Sequence, residues 1–64
     1  MPKTPRQMEK IIKEDGWYQV HSVGSHRKYK HNIKKGIVTI SFHPGDLNKK
    51  TENSIYRQAQ IKRR

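Results

Sequence analysis

The sequence predicts an α+β fold in the order α-β-β-β-α: a three-stranded antiparallel sheet with two helices on one of its faces. Three observations carry this. The chain opens on a capped amphipathic segment. Its middle holds two segments rich in β-branched and aromatic residues with an alternating segment between them, separated by glycine turns. A second helical segment closes it. A meander of three strands must cover its apolar face, and two helices on that face do so. With 64 residues, the expectation is a single domain over 1–64.

The first helix is placed at residues 5–15. Thr4 suits the N-cap, Pro5 the first helical position, and Gln7 stands three residues after Thr4, as a capping box requires. Met8, Ile11 and Ile12 recur at helical spacing, and Gly16 is a stop signal. Residues 17–23 read as the first strand. Gly24-Ser25 is a turn, and residues 26–31 form the second strand. Residues 32–36 make a hairpin loop. In residues 37–42, Val38, Ile40 and Phe42 alternate with Thr39 and Ser41, which marks the third strand. His43-Pro44-Gly45-Asp46 breaks it. Thr51 is expected to cap the second helix, with Ile55 and Ala59 one turn apart. The core candidates are Trp17, Tyr18, Val20, Tyr29, Val38, Ile40, Phe42 and Ile55. Trp17 is read as a core or edge-covering anchor rather than a base-stacking group.

Charge narrows the function. Fifteen Lys and Arg against five Asp and Glu give +10 on a chain that is only 30% hydrophobic. Such a balance attracts polyanions, with nucleic acid ahead of an anionic membrane surface or an acidic protein. No apolar run is long enough to span a bilayer, and the N-terminus has no signal-peptide-like stretch, so a cytoplasmic protein is expected. Without cysteine there is neither a disulfide nor a thiolate metal site.

Alternation on the second strand decides which groups meet a ligand. Tyr29 is its apolar member and should turn inward, which leaves His26, Lys28 and Lys30 together on the open face. Thr39 and Ser41 of the neighbouring strand should join them. An imidazole beside two ammonium groups suits a phosphodiester: cations answer the backbone charge and the ring moves protons. Arg27, Lys34 and Lys35 are further candidate RNA contacts. The pairs Lys49-Lys50 and the stretch 62–64 are phosphate contacts or solvated charge. His43, next to Pro44, is the candidate second proton carrier. His31 stands five residues from His26, so the two point to opposite faces and share no metal. The carboxylates Glu9, Glu14, Asp15, Asp46 and Glu52 are scattered, which points to metal-independent chemistry with no cofactor.

The segment Gly24-Ser25-His26, followed by Arg27-Lys28-Tyr29-Lys30-His31, resembles the glycine-serine-histidine signature of HicA toxins. Gly16-Trp17 resembles that family's opening of the first strand, Gly36-Ile37-Val38-Thr39-Ile40 its third strand, and His43-Pro44-Gly45 the loop that follows. Leu47, Thr51, Ser54, Ile55, Gln58, Ala59 and Ile61 fit its last helix without a gap. The resemblance spans nearly the whole chain. It implies a double-stranded-RNA-binding-like fold, cleavage of messenger RNA, and neutralisation by a HicB-like antitoxin protein. It also gives His26 the catalytic role, with Gly24 and Ser25 forming the turn that presents it. The chain departs from the family at Lys49-Lys50, where proline-glycine is usual, at Glu52 in place of leucine, and at Gln60 in place of glycine. These departures bear on the boundaries of the last helix.

Two other readings share the charge and topology arguments. One is a non-catalytic RNA-binding module of the same fold. The other is an interaction protein whose basic surface meets an acidic partner.

Overall fold

The computed structural model describes residues 3–62. The sequence reading of Arg63 and Arg64 falls outside them. The elements are α1 (Pro5–Glu14), β1 (Tyr18–Val23), β2 (His26–Lys30), β3 (Val38–Ser41) and α2 (Lys49–Ala59). The order is the α-β-β-β-α that the sequence predicts.

Local chemistry sets the ends of α1. The Gln7 backbone N–H donates to Thr4 Oγ1 at 3.2 Å, and the Thr4 N–H donates to Gln7 Oε1 at 2.9 Å, closing the capping box. At the other end Gly16 takes φ +109°. Its N–H donates to the Lys13 carbonyl, and the Trp17 N–H reaches back to the Ile12 carbonyl, both at 3.0 Å. This turn aims the chain from α1 into β1.

The second helix starts earlier than expected. Asn48, not Thr51, is its N-cap, and Asn48 Oδ1 accepts from the Thr51 N–H at 2.7 Å. Lys49 and Lys50 form the first turn, and both are good helix formers. The helix stops at Gln60, which adopts left-handed backbone (φ 58°, ψ 42°).

The sheet runs β1-β2-β3, antiparallel throughout. Tyr29, Val38 and Ile40 face one side and are fully buried. Met8 and Ile12 of α1 and Ile55, Tyr56 and Ala59 of α2 cover them, so both helices lie on that face. Trp17 and Leu47 complete the cluster. Each large side chain withdrawn from water here contributes about 1.5–3 kcal/mol.

Three core assignments made from sequence are corrected. Tyr18 and Val20 are each 45% exposed, and all six residues of β1 are exposed. The helices lie over β2 and β3, and β1 extends past them as an edge strand. Phe42 is only partly buried, packed against the rim of the core.

Candidate functional site

β2 begins at His26, immediately after the tight turn at Gly24-Ser25. Gly24 has φ +57° with open space around it. The Ser25 carbonyl accepts from the Phe42 N–H at 2.6 Å, which ties this turn to the end of β3. His26 therefore sits at a fixed corner of the sheet with its side chain exposed.

Register settles which side chains accompany it, because residues directly opposite in antiparallel strands share a face. His26 stands opposite Ser41 on β3 and Val23 on β1. Lys28 stands opposite Thr39 and His21, and Lys30 opposite Tyr18. The helix-free face thus carries His26 and His21, two lysines, two hydroxyls and two exposed apolar side chains. A register irregularity between Gln19 and His21 brings His21 onto it. The arrangement can hold a phosphodiester between ammonium groups and offer an imidazole to its sugar.

The remaining candidates lie elsewhere. Arg27 turns to the helix side, as alternation requires. Its guanidinium stacks 4.0 Å from the centre of the Phe42 ring and pairs with Glu9 at 3.4 Å. Lys34 is engaged inside the fold. Its Nζ donates to Asp15 Oδ2 at 2.6 Å and to the carbonyls of Gln60 at 3.0 Å and Ala59 at 3.4 Å, joining the C-terminal ends of both helices. That ammonium holds the Asp15 carboxyl below its usual range. Lys35 is exposed on the β2–β3 loop, where its carbonyl accepts from Gln60 Nε2. His43 is exposed just past β3 and stands on the lip of a cleft of about 450 Å³. Phe42 and Pro44 form one side of this cleft, and Thr4, Pro5 and Arg6 at the start of α1 form the other. Among the described residues, no group of three or more His, Asp or Glu is placed to hold a metal ion.

Two supporting groups escaped the sequence reading. His31 packs edge-on against Trp17, ring centres 5.2 Å apart. Its Nδ1 accepts from the Ile33 and Lys34 N–H groups, so Nε2 carries the proton and donates to the Asp15 carbonyl at 2.7 Å. It thereby shapes the β2–β3 loop. Its place on the Tyr29 side of the strand was the available signal, since an inward imidazole needs partners. Glu9 accepts from the Tyr29 hydroxyl at 2.5 Å. Burial pushes the Glu9 carboxyl up, but the Tyr29 hydrogen bond and the charges of Lys13 and Arg27 outweigh it and hold the group below its usual range. Burial and the Glu9 carboxylate keep the Tyr29 hydroxyl protonated well beyond its ordinary range.

A family model described as HicA toxin of bacterial toxin-antitoxin matches residues 5–61. Among solved structures, a chain from a toxin-antitoxin complex of Streptococcus pneumoniae is similar at 34% identity and a TM-score of 0.77. The match covers 94% of this chain and 100% of that one. No curated protein matches.

Proposed function

This chain belongs to the HicA toxin family, and from that premise we propose that it is a metal-independent endoribonuclease that cleaves messenger RNA through His26. The observation that carries the reading is the exposed imidazole at the Gly24-Ser25 turn, on one face with Lys28 and Lys30. His26 takes the proton of a ribose 2′-hydroxyl. The oxygen attacks the adjacent phosphorus, forming a 2′,3′-cyclic phosphate, and the bond to the 5′-oxygen breaks. The departing oxygen receives a proton, and His43 is the candidate second carrier. Lys28 and Lys30 offset the charge that builds on the phosphoryl oxygens. RNA approaches across the helix-free face, and Lys35 extends the cationic surface at the loop.

The same face is where a HicB-like antitoxin would act. An acidic protein seated over His26 excludes RNA and covers Tyr18 and Val23, which the fold leaves 45% and 62% exposed.

The test is His26→Ala, assayed by gel on a defined RNA in EDTA and checked for fold by circular dichroism. Cleavage should fall about 10²–10⁴-fold, the usual worth of general acid–base catalysis. RNA binding should persist through the remaining cations. A folded variant that cuts at the wild-type rate overturns the assignment and leaves the non-catalytic RNA-binding module.

A further inference from the structure

A regular ladder between β1 and β2 would put His21 on the helix side of the sheet. Gln19 stands opposite Tyr29, so in unbroken register Val20 would meet Lys28 and His21 would meet Arg27. The register shift makes Val20 an extra residue on β1. His21 becomes the partner of Lys28 instead and shares its face. Such a bulge leaves one residue unpaired and bends the strand, and bulges gather next to active sites, where they re-aim a side chain. The side chain re-aimed here is an imidazole, and it is exposed.

Its new position is defined by the same register. Val23 is the partner of His26, and His21 lies two residues before Val23. The two histidines are diagonal neighbours on one face, with backbones about 7–8 Å apart. Lys28 stands directly opposite His21 and two residues along β2 from His26. The titratable groups that share this face with His21 are Tyr18, His26, Lys28 and Lys30. An in-line displacement at phosphorus needs a base at the attacking oxygen and an acid at the leaving oxygen, on opposite sides. Two imidazoles at this separation can flank one phosphate, with the Lys28 ammonium against its nonbridging oxygens. His43 is placed differently. It lies beyond β3 with Nδ1 3.4 Å from the Pro44 carbonyl oxygen, and it lines the cleft between Phe42 and the start of α1 on the helix side.

We infer, resting on the ribonuclease reading above, that His21 is the general acid of the cleavage that His26 starts, in place of His43. His26 takes the proton of the 2′-hydroxyl as the bond from the 2′-oxygen to phosphorus forms. The imidazolium of His21 gives a proton to the 5′-oxygen as the bond from phosphorus to that oxygen breaks. The step ends with His26 protonated and His21 neutral, and proton exchange with water restores both.

The experiment compares two short RNAs with wild type and with His21→Ala, a change at an exposed side chain whose fold is checked by circular dichroism. One RNA is ordinary. The other carries sulfur in place of the 5′-oxygen at the bond that wild type cuts, and a thiolate departs without a proton because thiols are far more acidic than alcohols. His21→Ala should cut the ordinary RNA about 10²–10⁴-fold more slowly than wild type. It should cut the sulfur-linked RNA at nearly the wild-type rate. The alkaline fall of the wild-type pH profile, where the acid loses its proton, should be missing from the variant. A side chain that only contacts phosphate would lower both rates alike. That result, an unchanged rate on the ordinary RNA, or the same pattern given by His43→Ala instead overturns the inference. His26→Ala should be slow on both RNAs, so a failure of the ribonuclease reading shows separately, as equal rates for wild type and His26→Ala.

Discussion

Gly16 and Gly24 both hold left-handed backbone, yet only Gly24 has room for a side chain. A Cβ on Gly16 would lie 2.7 Å from His31 Nε2. That ring cannot retreat without losing its bonds to the Asp15 carbonyl and to two loop N–H groups. Gly16→Ala should therefore cost about 2–4 kcal/mol in urea denaturation, the sum of backbone strain and a displaced buried ring. Gly24→Ala should cost only about 1 kcal/mol, from the left-handed conformation alone. Glu9 predicts how stability responds to acid. Its carboxyl is held below the ordinary value of 4.5 in the folded chain, so the unfolded chain binds more protons as pH falls. The stabilisation is complete above about pH 4.5 and is lost as pH drops through the folded value. Asp15, held below 3.8 by Lys34, acts in the same sense lower on the scale. Glu9→Gln should flatten the upper part of this acid limb and cost about 1 kcal/mol at pH 7, measured by denaturation at a series of pH values. At this scale the sequence was informative about His26, Lys28 and Lys30, whose shared face follows from alternation alone. It was not informative about Lys34 or His31, whose partners come from the ends of α1 and α2 and become neighbours only through tertiary structure.

The elements divide along the same line. α1 was legible from end to end, because its capping box and glycine stop are interactions within a few residues. The N-cap of α2 was misplaced by three residues, since Asn48 and Thr51 are both good caps and only the backbone path chooses between them. β1 was legible as a strand but not as an exposed one. Its aromatic and β-branched residues suit a buried strand equally well, and how far the helices reach across a sheet is not written in any one segment. The outcome is a six-residue edge strand without a single Lys, Arg, Asp or Glu in a chain of net charge +10. Edges of this kind invite pairing with another chain, and a charge is the usual protection. Val20→Lys should leave stability within about 0.5 kcal/mol of wild type, because the side chain is half exposed. It should also reduce concentration-dependent association in light scattering. Ile40→Ala, on a fully buried position of β3, should instead cost about 2–5 kcal/mol. A Val20→Lys chain as unstable as the Ile40→Ala chain would place β1 within the core after all.

For the whole molecule, the net charge of +10 is too coarse a quantity to predict binding, because the fold divides the cations into two sets. Lys28 and Lys30 are exposed on the helix-free face beside His26. Lys34 and Arg27 are committed to Asp15 and Glu9. Only cations left free at the surface, such as Lys28, Lys30 and the loop Lys35, can release counterions from RNA. Each phosphate neutralised on a single strand contributes about 0.7 to the slope of log affinity against log salt. Three or four contacts therefore give a slope of about −2 to −3, and affinity should fall about 15- to 60-fold between 50 and 200 mM salt. The measurement is a titration of a short single-stranded RNA with His26→Ala, so that cleavage does not interfere. Replacing Lys28 and Lys30 together by Gln should reduce the slope by about 1.4 and leave stability nearly unchanged. Lys34→Gln should do the reverse: it leaves the slope where it was and lowers stability by about 1 kcal/mol, because it removes an ion pair and the cation at two helix C-termini. If Lys34→Gln lowers the slope as much as the change at the sheet face does, RNA is bound at the helix ends and not across His26. The cationic face would then have no claim to be the site of cleavage.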